Sequence, residues 1–244
     1  LMEIMNRELF YSIHPDIFAR FPGYMRGVVL AYEVTNRTSP ADLVEMLRAE
    51  ETGLRNRLTL EALAETPRIK AWREAFRSLG VKPGEYRPSI EALVRRVLRS
   101  ELLPAINALV DLGNLVSLRH LVPIGGHAID QLTQDIALRP ATGAETFVAL
   151  GSVTLEHPQP GEIIFVEDQV VMTRRWVWRQ SHHTLTLPET RAVEVNIDGL
   201  PPVSLQEVTQ ACKDVQELIH TFCGGRTRVE ILSAHNPRIG LLEG

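Results

Sequence analysis

Apolar residues in this chain follow one spacing before about residue 102 and another after it. Upstream they recur at helical intervals. Ser39-Pro40-Ala41-Asp42 opens a helix, with Ser39 as N-cap and Pro40 at its first position, and Leu43, Val44, Leu47 and Leu54 carry the pattern toward Leu63. Arg68 to Leu79 reads as a second helix with Ile69, Trp72, Phe76 and Leu79 on one face. It is stopped by the stretch Gly80 to Gly84. A third starts at Arg87-Pro88-Ser89 and buries Ile90, Leu93, Val94, Val97 and Leu98. Downstream, short β-like runs replace this pattern: 136–139, 145–150, 162–167, 170–178, 183–187 and 191–197, with turn signals at 158–161 and at Asp198-Gly199. A β-branched run at 27–34 precedes the helices. One more helix, 204–222, ended by Gly224-Gly225, and a last strand, 226–232, follow. Helices and strands are segregated rather than alternating, which predicts an α+β fold. The expectation is one domain over 1–244, with mixed and antiparallel sheets, an N-terminal helical segment and a C-terminal helix. Its first and last strands are expected to share a sheet.

The net charge of −4 excludes a strongly basic protein that coats nucleic acid, though not a local basic stripe. Of 26 basic residues only Lys70, Lys82 and Lys213 are lysines, and arginine is the better residue for planar recognition of phosphate or carboxylate. No apolar run approaches the roughly 20 residues that span a bilayer, and the first ten residues lack a signal-peptide core. Two cysteines, Cys212 and Cys223, make neither a zinc site nor a disulfide framework. The expectation is a cytoplasmic chain with reduced thiols and no metal or other cofactor. P-loop, Rossmann, HExxH and nucleophile-elbow patterns are all missing, as is a convincing nucleophile with its base.

Three segments hold side chains suited to chemistry. The stretch from Pro104 to Asp130 carries Asn107, Asp111 and Asn114, then Gly125-Gly126-His127. Paired glycines let backbone approach a ligand and leave amide donors free, and a histidine beside them positions water or a hydroxyl; equally, it packs as a satisfied core residue. In the segment Arg139 to Glu145, Thr142 and Glu145 are either cleft groups or the chemistry of a hairpin turn. In the run from Thr173 to His183, a strand would put Arg174, Trp176 and Trp178 on one face and Arg175 and Arg179 on the other. Such interleaving suits RNA, with phosphates on arginine and bases stacked on rings, and suits equally a core of tryptophans beside solvated arginines.

Taken in order, these segments resemble the free-standing form of the B3/B4 domain of the phenylalanyl-tRNA synthetase β subunit. Asn107, Val110, Asp111 and Asn114 match one family motif, and Gly126, His127, Ala128 and Asp130 match a second. Arg139, Ala141 and Glu145 stand close to a third, and Arg174 to Arg179 look like the signature of free-standing members. The likeness covers roughly 65–200, with the flanks completing the domain.

The resemblance implies an editing site that accepts the 3′ end of a tRNA carrying a wrong amino acid, notably tyrosine, and hydrolyses the ester. It assigns His127 and Asn114 to the reaction. Gly125, Gly126, Thr142, Glu145, Glu194 and Asn196 are assigned to the substrate, and Arg174, Arg175, Trp176, Trp178 and Arg179 to RNA. The family reads the misacylated side chain with a glutamate where this chain has Asn196; Glu194 stands two residues earlier. The Gly125 and Gly126 amides are expected as oxyanion donors, and no covalent nucleophile is needed for so activated an ester. The implied partner is aminoacylated tRNA, with a synthetase as a further candidate, and neither DNA nor membrane. Arg95, Arg96, Arg99 and Arg119 are expected to extend a basic patch. A non-catalytic module that binds tRNA or an amino acid, and a structural partner of a synthetase, are the alternatives.

Overall fold

The computed structural model describes residues 8–241; the N-terminal stretch read above for a signal core lies largely outside them. The chain begins with β1 (Phe10–Ile13), α1 (Pro15–Arg20) and β2 (Met25–Tyr32), followed by four helices: α2 (Ala41–Arg57), α3 (Leu60–Leu63), α4 (Pro67–Ser78) and α5 (Ser89–Leu98). After α6 (Ala108–His120) come β3 (Ile124–Ala128), β4 (Ile136–Pro140), β5 (Phe147–Val148), β6 (Leu155–Glu156), β7 (Ile163–Glu167), β8 (Val170–Arg174), β9 (Arg179–Gln180) and β10 (Ala192–Gly199). The described part closes with α7 (Leu205–Phe222), β11 (Arg226–Leu232) and β12 (Arg238–Gly240). The architecture is α+β.

Two sheets carry the fold. One has six strands in the order β12-β1-β4-β7-β8-β9; the other has four, β11-β2-β10-β3. The β1–β4 pair is parallel and the other pairs are antiparallel. β2 and β11 lie side by side, so the expected first and last strands do share a sheet. Helix α7 packs on the outer face of the four-stranded sheet so closely that a Cβ at Gly27 would lie 2.4 Å from the Cys212 sulfur. A capping box between Ser204 and Glu207 fixes where that helix starts. A hydrophobic core runs without a break from the helices through both sheets.

Four expectations need correction. The long first helical pattern divides at Leu58-Thr59, where extended backbone and the Thr59 side chain start α3. The stretch 108–120, placed by the apolar spacing outside the helical part of the chain, is helix α6. Its sides are nearly all buried, including Leu109, Asp111, Leu112, Leu115, Val116 and Ser117, so it has little amphipathic rhythm to read. The run 183–187 is irregular rather than a strand, and the run 170–178 leaves the sheet at Arg174.

Candidate functional site

The site forms where the inner face of the four-stranded sheet meets the six-stranded one. Register puts Glu194 opposite His127 and Leu30, Asn196 opposite Gly125 and Val28, and Asp198 opposite Arg26. Alternation along the strands then sends Arg26, Glu194, Asn196, Asp198 and His127 to the same side. The gap between sheets is thus polar at its centre.

Arg26 is fully buried and forks onto Asp198, with Nε to Oδ1 at 2.8 Å and Nη2 to Oδ2 at 3.0 Å. Its Nη1 donates to the Tyr11 hydroxyl at 2.7 Å, and Tyr24 donates to Asp198. Burial opposes the Arg26 charge, but Asp198 outweighs it and holds the guanidinium protonated. Burial drives both tyrosines well above their ordinary range. A buried pair broken on one side costs several kcal/mol, so this cluster fixes the floor of the site.

Glu194 and Asn196 are not satisfied in this way. Both carboxylate oxygens of Glu194 and the Oδ1 of Asn196 are buried and have no hydrogen-bond partner among the described residues. Burial pushes the Glu194 carboxyl up to about 8, with Arg26 opposing and Asp198 adding to the shift. Buried acceptors without partners are rare and costly in a native fold. They mark a place built for a donor.

His127 is buried beside them. Its Nδ1 lies 2.7 Å from the Thr184 hydroxyl, its Nε2 faces Thr173 at 3.5 Å, and its ring meets Phe165 edge to face at 5.1 Å. Burial, then Arg26 and His183, push its pKa down to about 3. The imidazole is neutral near pH 7 and acts as a hydrogen-bonding group rather than an ordinary base.

β3 is the edge strand, and its backbone polarity decides what it offers. Asp198 donates to Pro123 and Ile129 donates to Ala192, which sets the alternation of the ladder. Gly125 and His127 direct their backbone groups at β10; Ile124, Gly126 and Ala128 direct theirs outward. Outward, Ala128 N–H donates to Thr184, and the Gly126 carbonyl accepts from Gln180 Nε2 at 3.0 Å. The Gly126 N–H has no partner among the described residues. Of the two amides expected as free donors, one is therefore spent in the ladder and one is free.

Two cavities flank this edge. The inner one, about 120 Å³, is lined by Gly125, His127, Phe165, Trp176, Gln180 and Asn196, with Arg179 also on its wall. The outer one, about 280 Å³, is lined by Asn107, Asn114, Gly125, Gly126, Gln180 and Thr186 and is rimmed by Ile106, Leu150 and Leu187. Ile106 and Leu150 are more than half exposed. Gly125 and Gln180 line both cavities. The expected residues are thus divided: His127 and Asn196 line the inner cavity, Asn114 the outer one, and Glu194 lies behind the inner wall.

Thr142 and Glu145 lie apart from both cavities. Glu145 is buried and ties its own turn together, accepting from Thr142 and Gly143 N–H groups and from Arg139 at 2.5 Å. Burial alone would raise its pKa; the Thr142 amide and Arg139 outweigh that and bring it down to about 2. Hairpin chemistry accounts for this segment.

The Arg-Trp run is also arranged differently from the expectation. Arg175 and Trp176 take left-handed backbone, with φ of 46° and 65°, so the tryptophans do not share a strand face. Trp176 is 1% exposed, donates to Tyr24 and packs edge-on against Trp72. Arg174 is buried in a fork with Glu162, 2.8 Å on each arm, and a further pair with Glu156. Arg95, Arg96 and Arg119 also face carboxylates. Arg179 alone of the run is exposed, beside the inner cavity. The expected continuous basic patch does not form.

Spacing missed Arg26, Asp198, Gln180 and the two threonines. Arg26 carried no signal in the sequence, since a cation at the start of an apolar run ordinarily faces solvent. Among the described residues, no cluster could hold a metal ion and no helix is long and apolar enough to cross a membrane.

Comparison with curated proteins returned no match. Among solved structures, the chain is similar to an N-terminal fragment of the phenylalanyl-tRNA synthetase β-subunit from Pyrococcus horikoshii, at 10% identity and a TM-score of 0.45. That match covers 93% of this chain and 52% of the fragment, so this chain spans about half the fragment's length. The model of the B3/4 domain matches residues 71–224, well over half of the sequence. The chain belongs to the B3/4 domain family.

Proposed function

We propose that this chain hydrolyses the aminoacyl ester at the 3′ end of misacylated tRNA. The observation that carries the reading is the free Gly126 N–H on the strand edge between two cavities of unequal size. The inner cavity is too small for a nucleoside and of a size for an amino-acid side chain; the outer one, with its apolar rim, takes the terminal nucleoside. The ester carbonyl then lies at Gly126. Water adds to the carbonyl carbon and the Gly126 N–H meets the developing oxyanion. The ribose oxygen leaves with a proton that water supplied, giving free amino acid and tRNA.

His127 does not serve as the proton-accepting base in this scheme, because burial disfavours its protonated form and makes it a weak base. It orients the acyl group from inside the small cavity. Asn196, on the wall of the inner cavity, offers an unpartnered acceptor to the side chain, which favours a side chain bearing a donor, such as a phenol, over a purely apolar one. The Asn107 to Asp130 motifs, which resemble an editing domain, support a tRNA substrate. With most arginines facing carboxylates, we assign tRNA delivery to a partner, a synthetase being the natural candidate.

A second reading, binding without hydrolysis, is favoured by the burial of His127 and by the commitment of Asp198, the carboxylate on the wall of the inner cavity, to Arg26 and Tyr24. A deacylation screen over correctly and incorrectly charged tRNAs separates the two. Turnover of a mischarged species supports hydrolysis; saturable binding with no turnover supports the second reading.

A further inference from the structure

A third cavity, about 400 Å³, lies between the end of α4 and the loop that precedes β7. It shares no lining residue with the two cavities of the proposed reaction. Its walls are largely apolar and aromatic, from Phe76, Val81, Tyr86 and Ile163; two arginines line it, Arg20 and Arg175, as does one carboxylate, Glu162, whose two oxygens accept from Arg174.

Neither arginine has a counter-anion of its own. Arg20 is exposed and spends Nη2 on the Ser78 carbonyl, which is neutral; no carboxylate pairs with it among the described residues. The Arg175 guanidinium lies against two rings that meet edge to face, 3.7 Å from the Tyr86 centroid and 4.5 Å from that of Trp178. Its one carboxylate neighbour, Glu162 at 3.9 Å, is already held by both arms of the Arg174 fork. Its Nη1 is buried with no hydrogen-bond partner among the described residues. These two ring contacts hold the guanidinium in place, and a held fork loses little freedom when it meets a planar or tetrahedral anion.

We propose that this cavity binds a small organic anion: a carboxylate or phosphate monoester on an aromatic or apolar body. The anion pairs with Arg20 and Arg175, and the body packs on Phe76, Val81 and Ile163. Uncompensated cations beside an apolar hollow are a poor arrangement for water alone and a good one for an amphipathic anion. The left-handed turn at Arg175 is what takes this side chain out of the strand and places it there. In a continuous strand it would have alternated with its neighbours across the sheet.

Isothermal titration with phenyl phosphate and with phenylacetate tests this, using phenol for the body alone and inorganic phosphate for the charge alone. We expect at least one of the two organic anions to bind saturably at one per chain, about tenfold or more tighter than phenol or phosphate. Arg20→Gln and Arg175→Gln each weaken that binding by about tenfold. Arg20 is exposed, so its variant keeps the fold even if the Arg175 variant does not. Absence of saturable binding by both anions, phenol binding as tightly as they do, or undiminished affinity in folded R20Q would overturn the proposal. The titration involves neither tRNA nor turnover, so it stands or falls separately from the proposed hydrolysis.

Discussion

Gly125 lies directly against Asn196: a β-carbon at position 125 would stand 2.6 Å from the Asn196 Oδ1. The Asn196 amide, with its unpartnered Oδ1, therefore keeps its place only because residue 125 has no side chain. Gly125→Ala must push that amide aside, which costs about 1–3 kcal/mol of stability. We expect folded G125A to bind an aminoacyl substrate about tenfold or more weakly, by titration with a non-hydrolysable aminoacyl-adenosine analogue. Unchanged affinity would remove Asn196 from the binding surface.

Glu194 makes stability depend on pH. Its carboxyl is pushed by burial from 4.5 up to about 8, so the native state keeps a proton that the unfolded chain has released. The stability this contributes is full below about pH 4.5, falls as pH rises, and is gone above about 8. Glu194→Gln should flatten that slope and stabilise the fold above pH 8 by on the order of 4 kcal/mol. Urea melts across pH measure both; parallel slopes in the two proteins would show Glu194 to be hydrated or paired.

His127 acts at the other end of the scale. Its folded pKa is depressed from 6.5 to about 3, so its contribution is present above 6.5 and lost as pH falls toward 3. NMR of the imidazole should show no titration between pH 5 and 8, and a hydrolysis profile should show no limb in the ordinary histidine range. A limb that disappears in His127→Gln would make the imidazole the base after all.

Arg174 and Arg179 separate structure from RNA contact. Arg174 is spent on Glu162 and Glu156, so Arg174→Gln should lower the melting temperature and leave the salt dependence of tRNA binding unchanged. Arg179 is exposed, so Arg179→Gln should reduce the logarithmic salt slope by about one and leave the melting temperature alone. The opposite pattern would place the RNA on the Arg174 side.

How much of this was legible before the fold was known follows from what each residue depends on. The α4, α5 and α7 helices were readable because each hides one face, and Gly or Pro marks their ends. α6 was not, because a helix buried on nearly every side has no polar face to set a rhythm. The Gly125-Gly126-His127 segment drew notice by its composition, but which amide is free depends on the ladder with β10, and that is a matter of register. Trp176 was misplaced because alternation holds only while the strand continues, and a left-handed pair of residues ends it. Arg26 and Asp198 lie 172 residues apart, and their meeting depends on strand order alone.

The most direct test is the Gly126 N–H itself. That group points away from β10, and a β-carbon at 126 meets nothing nearer than Thr186 at 3.9 Å, so Gly126→Ala keeps the donor while Gly126→Pro removes it without breaking the ladder. Mischarged tRNA should lose its amino acid quickly with the wild-type chain, nearly as quickly with G126A, and about 100-fold more slowly with G126P. Hydrolysis by folded G126P at the wild-type rate, or no hydrolysis of any mischarged tRNA by the wild-type chain above the rate in buffer, would contradict it.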